Sequence, residues 1–497
     1  MPGEAARGLQ FVEPPIFERS APGRSAVSLG PLDVPEVDAA SLFGGCARKA
    51  PAALPEVSEP AVVRHFVRLS HHNFAVDTQF YPLGSCTMKH NPKVNEWAAR
   101  LPGFACLHPA TPAGLAQGAL ALIWNLQRAL AEVCGMDGVA LQPSAGAQGE
   151  TAGLMMIRAY HRAQGRAPTT VLVPDTAHGT NPASCALNGL RVQPFECGSQ
   201  GVIDPVKLAV VVENAGDNLA AIMITNPNTL GLFETHLPAI VDLVHGRGAL
   251  VYGDGANLNA LMGRVRPGDV GFDVVQLNLH KTFSTPHGGG GPGCGPVAFK
   301  RALEPFQPVP VIRREEPRFV VDHDRPLSVG RVRSFFGNFG VMVRAYSYIR
   351  ELGGDGLGRS TDLAVLNGNY IAALLRDYFP IAHEARCMHE AVFSDKKLEA
   401  ETGIKTMDVA KRLIDHGYHP PTVYFPLVVK GALMIEPTES ESKETLDAFA
   451  QALIAIEKEA RDLPETLRGA PHLTRVRRLD EARAARKPRL RWSRHDA

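Results

Sequence analysis

The sequence lacks an excess of charge of either sign. Its 497 residues include 52 Lys and Arg against 51 Asp and Glu, a formal net charge of +1. Proteins that bind nucleic acid or an anionic membrane through a basic face carry a surplus of positive charge. The basic runs at 475–478 and 483–491 lie near the C-terminus, where a solvated tail is the simpler interpretation. We therefore expect neither nucleic acid nor a membrane as a partner.

Paired cysteine motifs are also missing. The eight cysteines are scattered, and none forms a Cys-x-x-Cys pair, which argues against a disulfide framework or a zinc ribbon. The opening residues, Met1-Pro2-Gly3-Glu4, show no basic and apolar leader, so we expect no secretory signal. These absences predict a cytoplasmic protein without a metal site.

Long apolar runs and nucleotide-binding loops are absent as well. The most apolar helical stretch, Leu115–Val133, contains Asn125, Arg128 and Glu132. Such side chains are costly in hydrocarbon, so this stretch is predicted to be a core helix. The sequence has no Gly-x-x-x-x-Gly-Lys-Ser/Thr run, which disfavours a P-loop nucleotidase.

The length and the 45% apolar content indicate a globular chain of two or three domains. We predict an extended N-terminal arm over residues 1–75, a large domain over 76–330, a smaller α+β domain over 331–465 and a tail over 466–497. The proline-rich start of the arm excludes long helices. The arm is predicted to pack on another domain or subunit, and a disordered leader is the alternative.

From about residue 110, helical patterns alternate with short apolar runs such as Thr170–Pro174, Leu219–Thr225, Ala249–Tyr252 and Val274–Leu279. Continuous apolar strands separated by helices are typical of a mainly parallel sheet covered on both faces. The fold class is therefore predicted to be α/β, with a seven-stranded type of sheet. Ligands bind at the carboxyl ends of the strands in such sheets.

A loop of small residues, Ser144-Ala145-Gly146-Ala147-Gln148-Gly149-Glu150, opens a predicted helix. Small side chains let backbone N–H groups approach an anion, and the helix dipole favours negative charge there. Ser144, Gly146, Ala147 and Gln148 are therefore candidate phosphate contacts. The alternative is an ordinary helix start capped by Ser144.

Three further candidates follow predicted strands. His178, in the run from Asp175 to Pro182, could stack on a flat aromatic ligand, although a structural histidine is the alternative. Asp254 ends a buried strand, where an unpaired carboxylate is costly, and a pyridinium nitrogen would supply its cationic partner; an N-cap aspartate is the alternative. Asn226 follows its own strand and is placed to contact a phenolic oxygen of the same ligand.

The run Asn278-Leu279-His280-Lys281-Thr282 supplies a nucleophile. Buried lysines have lowered pKa values and serve in Schiff bases. The glycines at 288–291 permit close backbone approach, and a flexible loop is the alternative for them. A small-residue loop, then His178, then Asp254, then His280-Lys281 is the order found in fold type I enzymes that use pyridoxal 5'-phosphate. The sequence therefore predicts that cofactor, held on Lys281.

Several long motifs make the chain resemble the P-protein family of the glycine cleavage system, glycine dehydrogenase (decarboxylating). The resemblance runs from about Phe17 to the C-terminus. The length is that of the second, β, subunit in the split form of the enzyme. The runs that carry the resemblance are Tyr81–Lys89, Asp175–Pro182, Gly253–Asn257, Leu279–Gly293, Pro421–Pro426 and Met434–Ser442.

The resemblance implies an activity and partners. Glycine would lose CO2 on the cofactor, and its aminomethyl group would pass to the lipoyl group of the H-protein. A homologous subunit 1 would complete an α2β2 assembly. Lys281 would hold the cofactor, His178 would stack on its ring, Asp254 would pair with its nitrogen, and the Tyr81–Lys89 run would line the substrate entrance.

Two features depart from the family pattern, Cys294 in a glycine-rich segment and Ala391 in place of a larger aromatic residue. Neither belongs to the predicted cofactor site. Two rivals stay open at this stage. One is another fold type I activity, such as an amino-acid decarboxylase or a cysteine desulfurase with Cys387 as its nucleophile. The other is a non-catalytic scaffolding subunit, which the presence of Lys281 disfavours.

Overall fold

The computed structural model of the chain describes residues 6–7, 10–11, 13–50, 52–287 and 293–493. The glycines at 288–291 lie outside the described residues, so their predicted role stays a prediction. The chain forms two compact units. One comprises Met1–Ala75 with Leu473–Ala497, and the other comprises Val76–His472. The predicted boundaries at residues 75, 330 and 465 stay predictions.

The first unit contains short elements: strands Ala6–Arg7 and Gln10–Phe11, 3-10 helices Ile16–Arg19 and Gly44–Cys46, and α-helices Ala39–Phe43, Glu59–Ser70 and Glu481–Arg486. Its best-connected polar group is Glu13, whose buried carboxylate accepts hydrogen bonds from Arg19 and Arg68 and contacts His65 Nδ1 at 2.7 Å. Within this unit, Phe17 stacks on Trp492 with ring centroids 5.1 Å apart.

The second unit is built on a seven-stranded sheet. Its strands are β1 (Gly138–Ala140), β2 (Thr170–Pro174), β3 (Arg191–Phe195), β4 (Leu219–Thr225), β5 (Leu250–Gly255), β6 (Val274–Leu277) and β7 (Val297–Phe299). Their order across the sheet is β1-β7-β6-β5-β4-β2-β3. The neighbours from β6 to β3 pair in parallel, and β7 pairs antiparallel with β6 and β1. The mainly parallel sheet is thus confirmed.

The side chains of a central strand belong alternately to two apolar cores, which shows why both faces of the sheet are covered. In β4, Ile222 and Ile224 belong to the core that includes Leu126 of the helix Gln117–Cys134. The intervening Met223 belongs to a second core that includes residues of the helix Gly146–Ala163. Successive side chains on a strand point to opposite faces, so a continuous apolar run requires an apolar layer on each side.

Helices of the second unit surround this sheet and a smaller one. The α-helices are Lys93–Ala99, Pro102–Ala105, Gln117–Cys134, Gly146–Ala163, Thr180–Leu187, Pro205–Ala215, Leu237–His245, Phe339–Leu375, Lys396–Thr402, Thr406–Asp415, Lys443–Asp462 and Pro464–Gly469, and the 3-10 helices are Ala113–Leu115, Gly216–Asn218, Pro267–Val270 and Arg301–Phe306. Among the described residues, no helix is both long enough and apolar enough to cross a bilayer.

Three more strands form the smaller antiparallel sheet, β10 (Ala391–Ser394), β11 (Thr422–Val423) and β12 (Ala432–Ile435), after a separate hairpin of β8 (Val311–Glu315) and β9 (Arg318–Asp322). A second apolar core packs on this sheet, and it includes Phe393 and Phe449. The sequence also predicts strands at 391–394, 422–425 and 432–435. The first and the last are confirmed, and the middle strand ends at Val423.

Some predicted bounds are wrong. The strand predicted as Ala249–Tyr252 is Leu250–Gly255, because β5 pairs with β4 and β6 up to its glycine end. Pairing on both sides satisfies the glycine backbone, which has little strand preference of its own. The strand predicted as Val274–Leu279 ends at Leu277. The sequence also predicts two helices, Phe339–Leu352 and Thr361–Tyr378. The helical region Phe339–Leu375 is indeed divided in two by non-helical backbone at Gly353, but the second helix begins earlier and ends earlier than predicted.

Candidate active site

The carboxyl ends of the central strands bring the predicted polar residues together. Asp254 lies opposite Thr225 in the register of β5 and β4, one position before the end of β5. Lys281 follows β6, the other neighbour of β5. Parallel strands end at one edge of the sheet, so residues far apart in sequence meet there.

Asp254 is 3% exposed, and three donors surround its carboxylate. Its Oδ2 accepts hydrogen bonds from Asn181 Nδ2 at 3.1 Å and Thr225 Oγ1 at 3.3 Å, and its Oδ1 accepts from the Ala256 amide at 3.1 Å. Hydrogen bonds to the charged form stabilise a buried carboxylate. Asp254 is a strand residue, so the N-cap alternative for it is wrong.

Glu150 is a second buried carboxyl group close to Asp254. Its oxygens accept from Thr180 Oγ1 at 2.6 Å and Ser184 Oγ at 2.7 Å. Burial first, and the charge of Asp254 second, raise the pKa of Glu150. The protonated form of Glu150 is therefore favoured more than in an exposed glutamate.

His178 lies beside this pair. Its backbone N–H donates to Thr225 Oγ1 at 3.1 Å, and its Nδ1 lies 2.9 Å from Thr180 Oγ1. Burial lowers the pKa of His178, while the charge of Asp254 raises it and that of Lys281 lowers it. A neutral imidazole offers a flat face to a ring, and the hydrogen bond at Nδ1 fixes the plane of that face.

Lys281 is 8% exposed, and its Nζ donates to the backbone carbonyl of Ser85 at 2.7 Å. One cavity contains this amine together with Asp254 and His178. Its lining residues are Ser85, His178, Thr225, Pro227, Asn228, Thr229, Asp254, Ala256, Asn257, Lys281, His389 and Glu390. The three residues predicted as catalytic therefore share one site.

The small-residue loop stands at the start of an 18-residue helix, Gly146–Ala163. The N-cap is Ala145, whose side chain makes no capping hydrogen bond, so the alternative of a cap by Ser144 is wrong. The Ser144 N–H instead donates to Gln148 Oε1 at 2.6 Å, and Ala147 is exposed. A helix start without a side-chain cap offers N–H groups to an anion.

The loop packs against the segment that contains Lys281. A Cβ added to Gly146 would lie 2.8 Å from Asn278 Oδ1, and one added to Gly293 would lie 3.0 Å from the Ser144 carbonyl and 3.1 Å from His280 Nδ1. None of Ser144, Gly146, Ala147, Gln148 and His280 lines the cavity around Lys281.

His280 and Asn226 occupy positions beside that cavity. The Cys294 N–H contacts His280 Nδ1 at 3.2 Å, and burial, followed by His287 and Lys281, lowers the pKa of His280 to about 4. Asn226 is buried, and its Oδ1 accepts from the Glu234 N–H at 3.0 Å. Asn226 and Asp254 together line a small adjacent cavity.

These residues fit a planar cofactor with an aldehyde, a ring nitrogen and a phosphate. The Lys281 amine faces the same cavity as the Asp254 carboxylate, which suits an imine bond and a protonated nitrogen. The uncapped helix start at Gly146 suits a phosphate. The groups at this edge of the sheet are therefore compatible with pyridoxal 5'-phosphate.

Several residues of the site were not predicted from the sequence. Asn181 lies in the recognised 175–182 run, so that run was the signal for it. Ser85 likewise lies in the recognised 81–89 run, whereas Lys89 of that run is buried in an ion pair with Glu439 at 2.5 Å and does not line the cavity. Glu390 and Arg333, whose guanidinium donates to Ser144 Oγ, gave no local signal.

Cys387 does not suit the role of a desulfurase nucleophile. It is 5% exposed, and burial raises the pKa of its thiol to about 12. A nucleophilic cysteine requires the thiolate and access to substrate. The geometry therefore argues against this rival.

Comparisons with known proteins agree with the predicted family. Residues 360–472 match the family described as glycine dehydrogenase, C-terminal domain. The chain is 53% identical to a probable glycine dehydrogenase (decarboxylating) subunit 2 of Listeria innocua, over 97% of this chain and 99% of that protein. A protein of the same description from Caldanaerobacter subterraneus is 55% identical, over 96% and 98%.

Solved structures share the fold. A crystal structure of glycine decarboxylase (P-protein) of the glycine cleavage system, in inhibitor-bound form, matches with a TM-score of 0.69 and 21% identity, over 84% of this chain and 94% of that chain. Oryza sativa TDC with PLP and tryptamine matches with a TM-score of 0.64 and 14% identity, over 86% and 92%. The predicted fold type I α/β architecture is confirmed. The near-full-length identity shows more than the fold: the chain belongs to the glycine dehydrogenase (decarboxylating) subunit 2 family.

Proposed function

We propose that this chain is the catalytic subunit of a glycine-decarboxylating enzyme. It uses pyridoxal 5'-phosphate on Lys281, releases CO2 from glycine and transfers the aminomethyl group to the lipoyl group of the H-protein. The observation that carries the proposal is the single cavity lined by His178, Asp254 and Lys281, in a chain whose relatives bear the name glycine dehydrogenase (decarboxylating) subunit 2.

The residues of the chain divide the work. The cofactor, when bound, supplies the electron sink for the loss of CO2. The Lys281 amine lies at the cavity, where it donates a hydrogen bond to the Ser85 carbonyl. Asp254, held by Asn181 and Thr225, would stabilise a positive charge on the ring nitrogen. The neutral face of His178 would pack on the ring.

The remaining predicted residues would hold the rest of the cofactor. The helix start at Ser144, Gly146, Ala147 and Gln148 would bind the phosphate, with His280 beside it and the Arg333 guanidinium on the Ser144 hydroxyl. Asn226 would contact the phenolic oxygen. Close backbone approach at Gly146, where a Cβ would meet Asn278, supports this assignment.

The partners are a homologous subunit 1, in an α2β2 assembly, and the lipoylated H-protein. The description of the relatives as subunit 2 supports a first subunit. An aminomethyl group produced in a cavity also requires a carrier that reaches into it. The reaction is proposed for the cytoplasm, in keeping with eight free cysteines.

Co-expression with a homologous first subunit, followed by exchange of labelled bicarbonate into glycine, tests the function. We expect exchange that depends on the lipoylated carrier. Lys281→Ala should abolish both the exchange and the visible cofactor absorbance, whereas Lys430→Ala, at an exposed ion pair with Glu399, should retain both. Borohydride labelling of a lysine other than Lys281, or exchange by the Lys281→Ala variant, would contradict the proposal.

A further inference from the structure

Two buried carboxyl groups lie side by side at the ends of the small sheet. Ala391 of β10 pairs antiparallel with Ile435 of β12, so the residues just before and just after that pair, Glu390 and Glu436, are neighbours. They are 2% and 0% exposed, respectively. Two buried like charges in contact are unfavourable, so one of the pair holds a proton.

The two carboxyl groups differ in their hydrogen bonding. Glu436 accepts from the Thr87 N–H at 3.0 Å, from Thr87 Oγ1 at 2.6 Å and from Asn257 Nδ2 at 3.0 Å and 3.1 Å. Glu390 accepts from the Ser85 N–H at 2.8 Å. Burial, and next the charge of Glu436, raise the pKa of Glu390 to about 8. Glu390 is therefore the protonated member at neutral pH.

His389 is a separate indication that a ligand binds, or that a proton is transferred, beside Glu390. Its side chain is buried, and neither ring nitrogen has a hydrogen-bond partner among the described residues. Its Nε2 lies 3.9 Å from Glu390 Oε2. Burial lowers the pKa of His389, so its ring is neutral and can accept a proton on one nitrogen while donating one from the other. A buried polar ring without partners is costly unless another group meets it.

Glu390 and His389 both line the cavity that contains Lys281 and Asp254, so they face the proposed reaction site. One residue, Ser85, connects the acid to the amine, because its N–H donates to Glu390 and its carbonyl accepts from Lys281 Nζ. The charged and titratable groups that face Glu390 are Glu436, His389, Lys281, Cys86 and Cys387.

We propose that Glu390 is a catalytic acid, which protonates the lipoyl sulfur that leaves during aminomethyl transfer, and that His389 passes the replacement proton to Glu390. The inference rests on the proposed function. In the step, the carbon that has lost CO2 forms a bond to one lipoyl sulfur, and the S–S bond breaks. Its electron pair goes to the second sulfur, which takes the Glu390 proton and becomes a thiol.

The proton balance supports the need for such an acid. Zwitterionic glycine and a disulfide give CO2, an aminomethyl thioether with a protonated amine, and a thiol, so each turnover takes up one proton. A carboxyl group that is protonated near neutral pH can deliver it, and His389 can carry the replacement. An alkyl thiolate left without a proton would reverse the transfer, because it would attack the sulfur of the new C–S bond, re-form the S–S bond and return the electron pair to the carbon.

The test compares wild type with Glu390→Gln and Glu390→Asp, in the complex with the first subunit and with the lipoylated carrier. Glu390→Gln should slow transfer to the carrier about 100-fold and abolish the fall in rate at alkaline pH, while Glu390→Asp should retain that fall and part of the rate. Glu441→Gln is the matched control, since burial also raises the pKa of Glu441 and its side chain does not line the cavity.

Infrared spectroscopy gives a readout that needs no turnover. The carbonyl band of a protonated carboxyl group should disappear from wild type between about pH 7 and pH 9 and be missing in Glu390→Gln, with cofactor absorbance unchanged. Wild-type transfer rate and pH profile in Glu390→Gln, or a carboxyl band unaffected by it, would overturn the inference alone. A wild-type complex that fails to release CO2 from glycine would instead overturn the proposed function.

A metal ion is the competing occupant, because ligand atoms of His389, Glu390 and Glu436 lie within 4.8 Å of one another. The carboxylate of Glu436 already accepts four hydrogen bonds. Its oxygens are therefore occupied, which favours a proton over a metal ion at this cluster. Stoichiometric metal in the purified complex that is lost in Glu390→Gln, together with an unchanged infrared spectrum, would assign the cluster to metal and refute the acid role.

Discussion

Asn181 donates a 3.1 Å hydrogen bond from its side-chain amide to the carboxylate of Asp254. Both side chains are buried, and they come from different elements, the helix Thr180–Leu187 and strand β5. The helix that follows His178 thus also orients the carboxylate that we propose pairs with the ring nitrogen. The positions of His178 and Asp254 are therefore coupled through this helix.

Replacing Asn181 by alanine should therefore reduce turnover by about tenfold, since a hydrogen bond to a charged group is removed. Cofactor absorbance should persist, because Lys281 is untouched. Asn188→Ala is the matched control, as its amide donates to the Ser184 carbonyl at the end of the same helix. Equal losses of turnover in the two variants would show that the effect is structural.

Asp254→Ala should abolish turnover, with a loss of at least about 100-fold. The ring nitrogen would lose the charge that keeps it protonated, whereas the imine on Lys281 would still form. Steady-state CO2 release and the visible spectrum distinguish these effects. Decarboxylation of glycine at the wild-type rate would refute the assignment of Asp254.

The isolated chain should show little glycine–bicarbonate exchange. The relatives are named as one subunit of an enzyme, so a competent assembly is expected to need the first subunit. Titrating the purified first subunit into the exchange assay should restore activity to a plateau. Full exchange by the chain alone would contradict the proposed partnership.

Gly149→Ala should destabilise the start of the helix Gly146–Ala163, where we propose that the phosphate binds. A Cβ there would lie 2.5 Å from the Gly295 carbonyl oxygen, and overpacking of this kind costs about 1–3 kcal/mol. Weaker cofactor binding and a lower Tm should both be measured. Gly118→Ala has open space around its Cβ and a helical backbone, so it should stabilise the chain by about 0.5–1 kcal/mol.

Acid should destabilise the second unit through its buried histidines. Burial lowers the pKa of His280 to about 4, so between its ordinary value of 6.5 and about 4 the unfolded chain binds a proton that the folded chain does not. Stability is full above that window and falls with pH inside it, by at most about 3 kcal/mol for this residue. The lowered pKa values of His178 and His389 act in the same direction.

Urea unfolding at about pH 7 and about pH 5 checks the sign of this effect. The free energy of unfolding should decrease toward acid in wild type, and the decrease should be smaller in His280→Gln. An equal pH dependence in the two proteins would refute the assignment of His280. A decrease in stability from pH 5 to pH 7 would reverse the sign argued for the whole group.

The sequence by itself determined the strands Thr170–Pro174 and Leu219–Thr225, whose bounds are confirmed. Apolar runs bounded by turn residues leave a central parallel strand few alternatives. The family could likewise be predicted from the sequence, because motifs such as Tyr81–Lys89 are long and specific. The candidates Asp254 and Lys281 could be predicted from the sequence, because burying a carboxylate or an amine next to a strand costs free energy unless a partner compensates it.

Only the tertiary structure decided which other groups meet these residues. Ser85 and Glu390 are far apart in sequence, and their hydrogen bond depends on how two segments pack. Glu390 lies beside Glu436 through the register of β10 and β12, which local periodicity does not specify. Strand register and the packing of distant segments arise from burial over the whole unit, so the placement of Glu390 beside Glu436 and in the cavity of Lys281 is a property of the fold.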